Sequence, residues 1–166
     1  MAIDSIPSRL FARAKEIGSE PAYYEKTNGD WVSTDWSTYA AQVTQAAKAM
    51  VALGVEPGHT VCILGFNRSE WVIFDLAAMV IGAVPAGIYT TCSPNEVQYI
   101  VDHSESGLVL VEDGGQWEKI KQERERLPKL RHVITMRGAP AIEDEMVLSW
   151  EDFLANGDGV ADTVIE

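Results

Sequence analysis

Positive charge, cysteine and long apolar runs are all scarce in this chain. Only 13 of its 166 residues are lysine or arginine, against 25 aspartates and glutamates, giving a net charge of -12. A surface of that sign repels nucleic-acid phosphates and anionic lipid headgroups, which argues against both as direct partners. The five tryptophans are not interleaved with bases, so stacking on nucleic acid has no support either. Two cysteines, Cys62 and Cys92, make no disulfide framework and no Cys-x-x-Cys metal pair. The longest apolar run, Leu76 to Tyr89, falls short of the roughly 20 residues of a spanning helix and contains Pro85. No basic-then-apolar leader opens the sequence, so the expected compartment is the cytoplasm. Ser/His/Asp sets, His-Glu-x-x-His and Walker loops are missing too, and the three histidines, His59, His103 and His132, are scattered.

What remains is enough apolar residue, 46%, to bury the core of one ordinary domain. Ile6, Leu10, Phe11, Ala14 and Ile17 recur at helical spacing, with Pro7 near the start and Gly18 past the end. Residues 23–27 and 31–34 flank Asn28-Gly29, a strong hairpin signal. A helix over about 38–53 is expected to be capped by Ser37 and closed by Gly54. Buried strands follow at 60–64, 84–89, 108–111 and 132–136, each separated from the next by a helical segment. Asn67 with Glu70 resembles a capping box, as do Ser93 and Glu96 around Pro94. The helix over 116–127 carries Trp117 and Ile120 inward and pairs Lys119/Glu123 and Lys121/Glu125 outward. Such alternation predicts an α/β fold, an open, mostly parallel sheet with helices on both faces, plus a small N-terminal β-hairpin.

Charge is unevenly spread. Residues 137–166 hold eight acids and one base, so they carry -7 of the net charge. With Gly138, Pro140, Gly157 and Gly159 they read as a loosely ordered, acidic stretch around one short helix capped by Ser149. The expected division is a 1–136 α/β unit followed by this 137–166 segment.

Each candidate for chemistry has a plainer structural explanation. The turn Gly65-Phe66-Asn67 opens a helix after the first strand, the usual phosphate seat, yet it lacks a Gly-x-Gly-x-x-Gly fingerprint. Gly114-Gly115 follows Glu112 and Asp113, whose charge opposes phosphate, so a loop is expected. Glu70 and Glu96 are expected to be caps rather than acid–base groups. Asp75 lies mid-helix in an apolar run and needs a partner, for which Arg68 or a neighbouring subdomain is available. Cys92 precedes a helix N-terminus without a histidine partner. His103 near a helix end is favoured by the macrodipole alone. Trp71, on an apolar helix, is the residue to watch as the wall of an acyl pocket.

One stretch speaks more specifically. Asn67-Arg68-Ser69-Glu70-Trp71, Gly82-Ala83-Val84-Pro85, Gly87-Ile88-Tyr89-Thr90-Thr91 and Ser93-Pro94-Asn95-Glu96 occur in one order between Gly58 and Val111. Together they resemble the adenylate-forming acyl-CoA synthetases, most closely the long-chain, bubblegum-type fatty acid–CoA ligases. Trp36-Ser37-Thr38-Tyr39 and Val55-Glu56-Pro57-Gly58 fit loosely, with His59 where the family usually has an acid.

The resemblance implies an enzyme that joins a fatty carboxylate to AMP from ATP, with magnesium, and then transfers the acyl group to coenzyme A. The family's phosphate loop, Thr-Ser-Gly-Thr-Thr-Gly-x-Pro-Lys-Gly, has no counterpart here. The chain is therefore expected to be an N-terminal part of such a ligase, inactive alone and packing against the remainder of its own synthetase chain. It is expected to bind no cofactor or metal itself and to contribute no catalytic residue; a dimer and peripheral membrane association of the parent stay open. The alternative is a stand-alone, non-catalytic module holding a nucleotide or an acyl group on the same scaffold.

Overall fold

The computed structural model describes residues 4–164. Helix α1 (Ile6–Ile17) begins at Ser5, whose hydroxyl and the hydroxyl of Ser8 reciprocally satisfy orphan backbone donors. Of its apolar residues only Leu10 is buried; Ile6 and Phe11 remain exposed. Gly18 ends it in ordinary right-handed geometry. The glycine is needed because a Cβ there would collide with Ser37.

Strands β1 (Pro21–Thr27) and β2 (Asp30–Asp35) pair antiparallel around Asn28 and Gly29. Those two residues take φ of +53° and +95°, as a tight turn matching strand twist demands. Helix α2 (Trp36–Ala52) is capped by Asp35, which accepts from the Thr38 amide at 2.7 Å; Ser37, the expected cap, is the second residue of the helix. Of the stripe that the spacing predicts, Tyr39, Val43, Ala46, Ala47 and Met50, all but the half-buried Tyr39 are buried, and Ala40 is buried beside them.

The main sheet follows: β3 (Thr60–Leu64), β4 (Val84–Ile88), β5 (Leu108–Val111), β6 (His132–Thr135) and β7 (Val147–Leu148), in the order β4-β3-β5-β6-β7. Every pairing is parallel. Connecting helices are α3 (Ser69–Val80), α4 (Pro94–His103), α5 (Gly114–Gln122) and α6 (Trp150–Ala155). Alternate side chains send Val61, Ile63, Leu110 and Ile134 into one core beneath α2, α3 and α6. Cys62, Leu64, Val109 and Val133 enter a second core with α4 and α5. Burial on both faces explains why the strands read as continuous apolar runs.

The acidic end departs from expectation. β7 extends the sheet beside β6, and Trp150 and Phe153 of α6 are buried in the first core. Beyond α6 the chain returns to α2, where Gln45 donates to Leu154 O and to Asp158, and Lys48 pairs with Asp162 at 2.9 Å. Composition suggested loose order because the acids are numerous; most of them are exposed, Asp144 pairs with Arg124 at 2.9 Å, and two aromatics anchor the segment. β7 is too short to be seen by periodicity.

At the sheet edge, Val84 donates to His59 O, which turns its backbone toward β3. In a parallel ladder the next residue, Pro85, then faces outward without an N–H to offer. The open edge is thereby blunted against strand addition.

Candidate functional site

The carboxyl ends of β3 and β6, the start of α3 and the hairpin enclose a cleft of about 790 Å³. Ligands of open parallel sheets bind at this end of the strands. The sequence suggested an Asn67–Glu70 capping box here; the structure corrects it. The residue before α3 is Arg68, and no side chain caps the helix.

Glu70 instead points inward, 1% exposed, and is held by arginines. Its Oε1 accepts from Arg68 Nη2 at 3.0 Å and from the Arg137 amide at 3.2 Å, and forms an ion pair with Arg137 Nε at 3.2 Å. Arg68 Nη2 also donates to the Arg137 carbonyl at 2.9 Å. Ser69 Oγ donates to Glu25 of the hairpin at 2.6 Å and receives Arg137 Nη2 at 3.3 Å. A buried carboxylate requires such partners, and here they tie three segments distant in sequence.

The other candidates are placed as follows. Arg68, being engaged with Glu70, leaves Asp75 without an ion pair among the described residues. Asp75 is half-buried, and desolvation raises its carboxyl above the ordinary 3.8. Glu96 closes a true capping box with Ser93, whose amide donates to it at 2.7 Å and lowers its pKa. Cys62 is buried, with burial pushing its thiol up, and lies 3.4 Å from Ser104 Oγ; Cys92 is half-buried and free. Stacked on the Tyr99 ring lies His103, 5.4 Å between centroids. His59 Nδ1 accepts from the Glu56 amide. Burial together with Arg131 lowers the pKa of His132.

Trp71 is half-buried against the first core. Its Cζ2 lies 3.3 Å from where a Cβ of Gly87 would stand, so the indole rests on the edge strand β4. It does not line the cleft beside Glu70.

The turn after β5 also differs from expectation. Gly114 and Gly115 are the first turn of α5 rather than a loop, with Asp113 capping through the Gln116 amide at 3.1 Å. Glu112 accepts from the Phe66 amide at 3.0 Å. This helix start already holds a carboxylate, so it has no place for a triphosphate. The predicted Lys119/Glu123 and Lys121/Glu125 pairs do not form. Lys121 joins Glu118, Arg126 joins Glu123, and Lys119 reaches the Thr90 carbonyl at 2.6 Å. Because α5 stops at Gln122 and continues as a 3-10 turn (Arg124–Arg126), the four-residue spacing is lost.

Among the described residues there is no group of three or more His, Cys, Asp or Glu side chains arranged for a metal. In the cleft Arg68 and Arg137 meet Glu70, and Ser69 meets Glu25, contacts that brace the sheet end.

This sheet end belongs to a known class. Residues 10–162 match the family described as AMP-binding enzyme, and the chain belongs to that family. It is 32% identical to the human long-chain-fatty-acid–CoA ligase ACSBG2, over 98% of this chain and 24% of that protein. It is 36% identical to the Drosophila melanogaster long-chain-fatty-acid–CoA ligase heimdall, over 81% of this chain and 20% of that protein. The chain thus spans about a quarter of the curated relatives it matches. Among solved structures, the anthranilate CoA ligase AuaEII in complex with anthranoyl-AMP superposes with a TM-score of 0.78. That likeness, at 23% identity, covers 90% of this chain and 27% of the ligase. The benzoate CoA ligase of Burkholderia xenovorans LB400 superposes at 0.75 with 19% identity, over 92% of this chain and 28% of that one. Both show the same fold. No described helix is long and apolar enough to cross a membrane.

Proposed function

We propose that this chain is the N-terminal scaffold part of an ATP-dependent long-chain fatty acid–CoA ligase and has no activity alone. The parent reaction converts a carboxylate and ATP to acyl-AMP and pyrophosphate, then forms the thioester with coenzyme A. One observation carries the reading: the family match spans nearly the whole chain, while the charged groups at its ligand-side sheet end are consumed by one another. Positioning and neutralising developing phosphate charge are what such a reaction needs. The groups for those tasks, together with magnesium, ATP and coenzyme A, belong to the remaining polypeptide, toward which the 137–166 segment leads.

In this reading α2, α3 and the sheet are the rigid wall on which the phosphate-loop subdomain packs. Trp71 forms part of the acyl pocket wall, its ring held against Gly87. The exposed Phe66 and Tyr89 at the sheet end are natural contacts for the remainder of the chain, or for a second copy in its absence. The parent works in the cytoplasm, in fatty acid metabolism.

Fatty-acid-dependent exchange of labelled pyrophosphate into ATP tests the claim. The 166-residue protein should show none above a no-enzyme control. Robust exchange would mean that the chemistry lies within these residues after all.

A further inference from the structure

At the opposite end of the sheet from Glu70, the loops leading into β3, β5 and β6 enclose a second pocket of about 400 Å³. That volume lies within the range of small-ligand sites. Its charged and titratable lining consists of His59, Glu105, Lys129 and Arg131. Lys129 and Glu105 pair at 2.7 Å, so their charges offset one another. Arg131 meets no carboxylate among the described residues, and its one hydrogen bond there runs from Nη2 to the Gly54 carbonyl at 3.2 Å.

Two glycines make room for that guanidinium. A Cβ on Gly54 would stand 3.1 Å from Arg131 Nη1, and one on Gly107 would stand 3.3 Å from Nε and Nη2. The group therefore lies over bare backbone, reaching from the chain before β6 to the chains before β3 and β5. Its Nε and Nη1 protons are placed by this seat yet make no hydrogen bond to the described residues. His59 adds a donor: its Nδ1 accepts from the Glu56 amide at 3.2 Å, so the neutral ring carries its proton on Nε2. The Glu56 carboxylate, 4.0 Å from that nitrogen, is 76% exposed and outside the pocket lining.

Most of a surface with net charge -12 repels anions, so an arginine seated in a pocket without an acid is a local reversal of sign. A guanidinium presents a rigid fork of donors that fits the paired oxygens of a carboxylate or a phosphate. Because the backbone already places it, little side-chain freedom is lost on binding.

We propose that this pocket binds a small multivalent oxyanion, held by Arg131 with Lys129 as second cation and His59 Nε2 as a neutral donor. Polycarboxylates and phosphates share that chemistry. The site lies at the amino ends of the strands, away from the side where open parallel sheets take their usual ligands, and it is independent of the ligase reading.

Calorimetric titration of the 166-residue protein with citrate and with inorganic phosphate at low salt tests this, with NMR amide shifts locating the site. At least one anion should saturate with a Kd of about 1 mM or below and shift the amides of Gly54, His59, Gly107 and Arg131. Tighter citrate identifies a polycarboxylate ligand, and tighter phosphate a phosphate one. Arg131→Gln should weaken binding about tenfold or more. Glu105→Gln, at an exposed site, frees Lys129 and should strengthen binding about threefold. Gly107→Ala keeps every charge but sets a methyl against the guanidinium, and should weaken binding about threefold or more. Circular dichroism confirms the fold of each variant. No saturable binding of either anion overturns the proposal, as do shifts centred on Arg68 and Arg137 or an affinity indifferent to Arg131→Gln.

Discussion

Glu70 and Arg137 lie 67 positions apart and are joined twice at one carboxylate oxygen, which accepts from the Arg137 amide and pairs with its guanidinium. This double contact locks the start of α3 to the end of β6. Removing the acid strands two arginines over a cavity, so Glu70→Ala should cost about 3 kcal/mol, the low end for a broken buried pair because both guanidiniums keep partial solvent contact. Urea melts monitored by far-UV circular dichroism measure it. Arg68→Ala and Arg137→Ala should each cost less than Glu70→Ala, since either variant leaves the buried carboxylate one arginine side chain and the backbone amide of position 137.

How much of this was legible in sequence follows from which interactions are local. The Ser93–Glu96 box and the Asn28-Gly29 turn depend on residues within four positions, and both were readable. Glu70 has the same Asn-x-x-Glu spacing as a capping box but is claimed by Arg137, which no local pattern reveals. Likewise Asp35 outcompetes Ser37 as a cap because β2 runs directly into α2. β7 has two residues and gains its place only from β6 beside it. The cleft is assembled from the hairpin, α3 and the residue after β6, so sequence motifs gave no sign of its location.

Asp75 offers a pH test. Burial raises its carboxyl pKa above 3.8, so the folded state holds that proton more tightly than the unfolded state does. The stabilisation from the protonated form is complete below the unfolded value and is lost as pH rises through the folded one. Asp75→Asn, neutral throughout, should therefore be more stable than the parent at pH 7. The advantage should shrink toward zero as pH falls to 3.8 or below. Thermal melts at pH 7, 5 and 3.5 check this; an advantage independent of pH would mean that desolvation is not its origin.

The Ser93 cap gives a cleaner local measurement. Its hydroxyl accepts from the Glu96 amide, and it begins a helix that packs Val97 and Val101 into the second core. Ser93→Ala should cost about 1 kcal/mol, with Ser93→Gly costing less. Hydrogen exchange should place the loss in the first turn of α4.

The acidic end supplies the last prediction, because its packing contradicts its composition. Phe153 is fully buried, 5.7 Å from Phe74 and 5.4 Å from Trp150 by ring centroids. Gly157 beyond it comes so near α2 that a Cβ would lie 2.9 Å from the Ala49 amide and the Gln45 carbonyl. Those are backbone atoms inside a helix, which cannot shift cheaply. Phe153→Ala should cost about 3–5 kcal/mol by leaving a cavity between α3 and α6. Gly157→Ala should cost about 1–3 kcal/mol by forcing the returning segment off α2. In the second variant, Lys48 and Gln45 would lose Asp162 and Asp158, so protease cleavage after α6 should rise well before global unfolding does. If both substitutions were silent in urea melts, the end of the chain would be a tether after all, and its two aromatics would contribute nothing to the core.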